Sequence, residues 1–222
     1  MEPWTSHRPV NRFAGLPRGV LGRFGGWVMA RGGNASQHEV LGLLPVEPGD
    51  RVLEVGHGPG VLIRLLLEST EAAFVAGVDP SDVMRSQASK AVAGAILQGR
   101  ADIRAGTADS VPYGDASFDH TVSVNNVAIW PSLAPGVAEL CRVTRPGGTV
   151  AIAWHSRTSP SRPERSMALD EDGLDRIQRA LRRHCAQVVR HDLTHVVCFT
   201  AVRRQVSPPQ PFGQPPDADS AT

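Results

Sequence analysis

The stretch from Arg51 to Gly60, RVLEVGHGPG, constrains what this chain can fold into more than any other. Val52 to Val55 read as a buried strand with a carboxylate, Glu54, near its end, running into three glycines, Gly56, Gly58 and Gly60, spaced two apart. Glycine lets the backbone take positive φ and lets a ligand come closer than a Cβ would allow. A helical run, VLIRLLLEST, begins at once. The glycines therefore sit between a strand end and a helix N-terminus, where open α/β sheets bind ligands.

The spacing narrows the ligand. In the dinucleotide fingerprint G-x-G-x-x-G the third glycine would fall on Val61, which disfavours NAD or FAD and with them a Rossmann-type oxidoreductase. No G-x-x-x-x-G-K-[ST] occurs, so a P-loop is absent too. What remains is E-x-G-x-G-x-G, a loop for a ligand without a pyrophosphate. In this form it resembles the first motif of the class I S-adenosylmethionine (SAM)-dependent methyltransferases.

The rest of the chain reads as alternating strands and helices. A run at Phe74 to Val78 ends in Asp79, Pro80 and Ser81. Asp79 lies 19 residues beyond Gly60, close to the spacing at which an acid on the next strand end takes ribose hydroxyls. Its other reading is a cap for the helix that follows. Asp102 to Ala105 reads as a third strand. Phe118 to Val124 reads as a fourth, followed by Asn125 and Asn126, and Thr149 to Trp154 as a fifth, followed by His155. Polar side chains just past strand ends at one sheet edge point into a cleft. An S-x-x-E pair, Ser36 and Glu39, reads as a capping box for a helix that Pro45 ends. Pro135 to Val143 and Asp170 to His184 read as further helices, with RPGG as a turn between the first of them and the fifth strand. Residues 156–168 read as a polar loop, either closing over a substrate or simply connecting. Gln187 to Arg190 and Val196 to Val202 fit a closing hairpin around HDLTH. The expected fold is α/β, a Rossmann-like doubly wound, mostly parallel sheet of seven strands with a C-terminal antiparallel hairpin.

GVDPS, the S-F-D triplet opening the fourth strand, and RPGG follow the glycine loop in the order and spacing of the same methyltransferase class. The resemblance covers roughly residues 36–202 and is nearest to the small-molecule branch that includes quinone-biosynthesis enzymes. It implies SAM as cofactor and transfer of its sulfonium methyl to a small-molecule oxygen, nitrogen or carbon nucleophile. By motif position it implies Glu54, Gly56, Gly58, Gly60, Asp79, Pro80, Met84, Thr107, Ala108 and Asn125 as cofactor-binding residues. Many members carry an acid where this chain has Thr107, and Asp109 is the acid nearest to it. Asn126, Trp130 and Trp27 are candidates for the substrate pocket, and His155 for a general base or a hydrogen-bonded edge histidine. A SAM-binding protein without turnover, a sensor or partner subunit, is the alternative from another class.

Domains are expected at 1–35, a lid or plain packing helix; at 36–204, the cofactor-binding domain; and at 205–222, a proline-rich disordered tail. In the first segment Val20, Leu21, Phe24, Trp27 and Val28 share one helical face that Gly22, Gly25 and Gly26 weaken. A formal net charge of +1 gives no bulk reason for a nucleic-acid partner. The three cysteines lack C-x-x-C spacing and read as reduced thiols. His191 and His195 flank a turn without an H-E-x-x-H pattern, so no metal is expected. No apolar run reaches membrane-spanning length and no signal-peptide core is evident, which makes a cytoplasmic location the expectation; oligomeric state is not legible.

Overall fold

The computed structural model describes Trp4 and residues 34–205. The helix expected from Val20, with Trp27, and the tail beyond Gln205 lie outside the described residues. Within them the elements are α1 (Ala35–Leu41), β1 (Arg51–Val55), α2 (Val61–Ser69), β2 (Phe74–Asp79), α3 (Asp82–Ala91), α4 (Ala93–Leu97) and β3 (Ala101–Ala105). Then come β4 (Phe118–Val124), a 3-10 turn (Val127–Ile129), α5 (Leu133–Val143), β5 (Thr144–His155), α6 (Arg162–Met167), α7 (Glu171–His184), β6 (Cys185–Asp192) and β7 (Val196–Arg203).

One seven-stranded sheet has the order β3-β2-β1-β4-β5-β7-β6. β1 pairs parallel with β2 and β4, β2 with β3, and β4 with β5, while β7 runs antiparallel to β5 and β6. The expected architecture is therefore the observed one. Its physical origin is the near-continuous apolar content of the central strands, which are buried on both faces as parallel strands must be. On one face Leu53, Val55, Ala76, Val78 and Ile152 pack with Val137 and Leu140 of α5, and with Leu174, Ile177 and Leu181 of α7. On the other, Val52, Val75, Val122, Ala151 and Cys198 pack with Val40 of α1 and with Leu62, Ile63 and Leu66 of α2. The strand order reverses between β1 and β4, and the glycine loop leaves β1 at this switch point.

Local expectations fail in three instructive places. The capping box does not form: Asn34 is the N-cap residue, Ser36 is buried inside α1, and the helix ends at Leu41 rather than at Pro45. Glu39 instead reaches across to the β6–β7 turn, accepting from the His195 amide (2.9 Å), from the Val196 amide (3.3 Å) and lying 2.8 Å from His195 Nδ1. RPGG is not a separate turn but a bulge within β5. Phe118 faces Thr144 and His120 faces Thr149, so the pairing resumes with three extra residues on β5. Gly148 fits there because a Cβ would run into the Asp119 carbonyl. The polar connection at 156–168 contains α6 and is held by side chains: Trp154 Nε1 donates to Met167 O (2.7 Å) and Arg157 Nε to Leu169 O (3.2 Å).

The Glu39 contacts carry a prediction. Glu39→Ala strips acceptors from two backbone amides and should lower unfolding stability by about 1–3 kcal/mol. Urea denaturation of the two proteins side by side measures it.

Candidate active site

The C-terminal ends of β1, β2, β4 and β5 form one edge, and most of the residues singled out in the sequence meet there. The glycine loop takes its shape from steric need. Gly60 has φ 86° and caps the N-terminus of α2. A Cβ there would lie 2.8 Å from Ala88 Cβ and 3.0 Å from its Cα, so the glycine lets α2 and α3 approach. Gly56 would drive a Cβ into the Asn126 side-chain amide. Gly58 differs: φ is 53°, yet nothing lies within 4 Å of a built Cβ. Its missing side chain leaves open space above the loop rather than relieving a clash.

Asp79 closes the loop from β2. Its Oδ2 accepts from the Gly58 amide (3.0 Å) and its Oδ1 from the Ser81 amide (2.8 Å). Each carboxylate oxygen has two acceptor positions, so one on each oxygen remains for a vicinal diol. The capping role belongs to Ser81, whose Oγ accepts from the Met84 amide (3.5 Å). Arg85 Nη1 donates to the Asp79 carbonyl (2.8 Å) and so holds the start of α3 against the strand end. Met84, in the first turn of α3, is buried, whereas Pro80 is exposed.

Several buried polar atoms at this edge have no protein partner: Glu54 Oε2, His57 Nε2, Asn125 Oδ1 and His155 Nδ1. The remaining one among the described residues, His120 Nδ1, is on a side chain that reaches Asp50 at the opposite edge (2.8 Å). Burial and the neighbouring Asp79 charge hold the Glu54 carboxyl well above the usual carboxylate range, against a backbone contact from Ile63. Burial takes His155 down to about 4, with Glu164 pulling the other way. Burial likewise lowers His57, opposed by Asp79 and by its Nδ1 contact to Gly58 O (2.7 Å). Asn125 sits at φ 56°, an uncommon conformation for a residue with a side chain, which marks a backbone held by its surroundings.

Other candidates turn out to be engaged within the protein. Asn126 Nδ2 donates to Val55 O (2.9 Å), with Gly56 O and Val124 O each 3.2 Å away. Its Oδ1 accepts from Ser123 Oγ (2.7 Å) and Trp130 Nε1 (2.6 Å). Both side chains are buried, and Trp130 lies against Gly136 of α5. Thr107 Oγ1 donates to Asp109 Oδ1 (2.6 Å), closing the β3 loop on itself, while Ala108 is buried towards α5. Among the described residues no group of three or more His, Cys, Asp or Glu side chains is placed to hold a metal, and no helix is long and apolar enough to cross a membrane.

Two residues were not singled out in the sequence. His57 is legible only as the residue enclosed by two of the glycines, and its burial follows from Gly77 of β2, which leaves room for the ring beside Ile63 and Ile103. Trp4 carries no local signal. Its indole is buried, donates to Val127 O (3.1 Å) and lies 5.7 Å from the Arg176 guanidinium, next to the turn that follows β4.

A glycine-rich loop and an acid at the switch point of a sheet of this order stand where open α/β proteins bind ligands. Comparison with known proteins makes the class specific. A family profile described as a methyltransferase domain matches residues 53–152. The uncharacterized methyltransferase YdaC of Bacillus subtilis is 28% identical over 141 residues, 64% of this chain and 76% of that one. The ubiquinone/menaquinone biosynthesis C-methyltransferase UbiE of Geotalea daltonii is 27% identical over 106 residues, 47% of this chain and 45% of that one. The fold is shared with a putative SAM-dependent methyltransferase of Methanococcus maripaludis, at a TM-score of 0.68 and 18% identity over 83% of this chain and 94% of that one. Over residues 53–152 the chain is therefore similar to methyltransferase domains, and it shares its fold with a protein described as dependent on SAM as cofactor.

The site suits that cofactor. An acid with free acceptor positions, an open cradle at Gly58 and unpartnered oxygens of Glu54 and Asn125 match a ligand that carries a diol and two cationic groups.

Two outcomes follow from this geometry. Gly60→Ala should cost several times the stability lost by Gly58→Ala, which carries only a left-handed backbone penalty of about 1–2 kcal/mol; Gly58→Ala should still lose cofactor affinity. Denaturation and SAM titration of both variants test the pair. For His155 the unfolded chain binds a proton near pH 6.5 that the folded protein refuses until about 4. Stability therefore falls as pH drops through that window. His155→Gln should flatten this part of the pH profile, read from urea midpoints measured stepwise.

Proposed function

We propose that the protein transfers the methyl group of SAM to a small-molecule nucleophile, using the edge formed by β1, β2, β4 and β5. The observation that carries this reading is the set of unpartnered buried polar atoms gathered around the glycine loop, each at the end of a different strand or in the loop itself.

Asp79 is the ribose acceptor, held in place by the Gly58 and Ser81 amides. Gly56, Gly58 and Gly60 keep the loop low so that the cofactor can lie against backbone. Met84 and Ala108 are apolar groups on the adenosine side, with Thr107 and Pro80 at its margin. Glu54 faces the cationic end together with Asn125. When bound, SAM would supply a sulfonium methyl carbon for in-line attack by a nucleophile, the new bond forming as the C–S bond breaks and the neutral thioether leaves. The transition state disperses positive charge, so the protein contributes mainly alignment and exclusion of water.

His155 stands at the end of β5, two residues beyond Ala153, whose carbonyl accepts from the Asn125 amide (2.9 Å). Its ring is neutral down to about pH 4 and can accept a hydrogen bond from the acceptor's X–H. Attack of a neutral X–H group yields an onium centre whose proton is far more acidic than before. A weak base already in contact is then sufficient to remove it. Asn126 and Trp130 act as a positioning pair: they hold the end of β4 rather than offering polar atoms to a substrate.

Glu54 links binding to stability. A raised carboxyl pKa means that the folded protein keeps a proton which the unfolded chain has released, so this residue removes stability as pH rises above 4.5. Glu54→Gln should therefore be more stable than the parent at neutral pH and yet bind SAM more weakly. Asp79→Ala should weaken SAM about 10- to 100-fold, the equivalent of one or two charge-assisted hydrogen bonds. Calorimetric titration with SAM and S-adenosylhomocysteine is the test. Undiminished affinity in Asp79→Ala would overturn the ribose assignment.

A further inference from the structure

Cys141 lies near the end of α5 and Cys185 is the first residue of β6, 44 positions later in the chain. Their sulfur atoms are 3.4 Å apart, and both side chains are buried. The third cysteine, Cys198 of β7, belongs to the core on the other face of the sheet, and burial pushes its thiol up to about 12. At 3.4 Å one thiol can donate its S–H to the other sulfur. The first ionisation becomes easier and the second harder, so Cys185 is lowered by the hydrogen bond from Cys141, and Cys141 is raised by the same bond.

The surroundings favour Cys185 as the thiolate. Arg204 Nε donates to the Cys185 carbonyl (3.2 Å) and Nη2 to Arg182 O (2.7 Å). Arg203 Nη1 donates to Arg142 O (2.9 Å) and to Thr144 O. Among the described residues both guanidinium groups are held by carbonyls and paired with no carboxylate, so their charge is left to act on the sulfurs. A thiolate beside cationic groups is the reactive form of cysteine. β6 is the outermost strand of the sheet and Cys185 is its first residue. Such ends open locally far more often than the protein unfolds, which gives a small oxidant a route to buried sulfur.

We propose that Cys141 and Cys185 form a reversible disulfide when the folded protein meets a hydroperoxide, a modification site at the sheet edge opposite the cofactor. The Cys185 thiolate attacks the O–O bond: an S–O bond forms, O–O breaks, and the departing oxygen takes a proton to leave as water or an alcohol. Cys141 then attacks the resulting sulfenic sulfur: S–S forms, S–O breaks, and hydroxide departs with the Cys141 proton as water. Two electrons pass from the two thiols to the peroxide, and a thiol reductant returns them. The bond ties α5 to β6 and closes a covalent loop around β5 and α7, which restricts the unfolded chain.

The test uses the full-length reduced protein, exposed under native conditions to graded hydrogen peroxide, quenched by alkylation and mapped by mass spectrometry. The expected result is one linked peptide joining Cys141 to Cys185, lighter by two hydrogens, reversed by dithiothreitol and accompanied by a higher denaturation midpoint. Cys198 should become alkylated only after unfolding. Cys141→Ser should leave Cys185 as a sulfenic acid that dimedone traps, and Cys185→Ser should abolish both products. If no linked peptide forms at a peroxide dose that oxidises free glutathione, or if Cys198 appears in the linkage, the proposal fails. The map of the unsubstituted protein decides this by itself, even if a variant does not fold.

Discussion

The side chain of Asn126 is the contact on which the site depends. Through its amide it binds the last carbonyls of β1 and β4, and through its oxygen it receives Ser123 and Trp130. Two strands that meet at the switch point are thereby fixed at the level where each gives way to a loop. A buried amide with all its hydrogen-bonding capacity used is worth more than its individual bonds suggest, because any one lost partner leaves a desolvated polar group behind. The glycine loop leans on this group so closely that Gly56 admits no side chain. Asp79 then fixes the same loop from the side of β2 through the Gly58 amide.

The loop is held from both sides, and several buried polar atoms of the edge are left without partners. Glu54 illustrates the tension. Its carboxyl lies buried beside a second acid and is kept from ionising, an arrangement that costs stability. His155 shows the converse, a base kept neutral by burial. Both follow the general pattern that perturbed titrating groups gather where function does.

Much of this was legible from residue order. Gly56, Gly58, Gly60 and Asp79 announce themselves because strand, glycine loop and following helix are contiguous, and backbone requirements of this kind act over a few residues. The doubly wound, mostly parallel sheet follows likewise from alternating apolar runs joined by crossover helices, whereas the order of its strands came with the structure. What was misread depended on distant partners. Ser36 and Glu39 have capping-box spacing, but Glu39 finds unpaired amides at His195 and Val196, far away in sequence. RPGG has turn chemistry, but β4 continues alongside it and absorbs it as a bulge.

The fold class, the edge where the glycine loop sits and the acid that meets that loop could be read from residue order, since each rests on local backbone chemistry and short-range hydrophobic periodicity. The tertiary structure alone decided which polar side chains are engaged and which are free. Asn125 and Asn126 are adjacent and chemically identical, yet one is consumed by the β1 and β4 carbonyls and the other keeps an unpartnered oxygen. The burial of Trp4 against Val127 and the meeting of Cys141 with Cys185 are likewise products of packing. Hydrogen-bond satisfaction and side-chain contact are properties of three-dimensional neighbours, and no spacing along the chain encodes them.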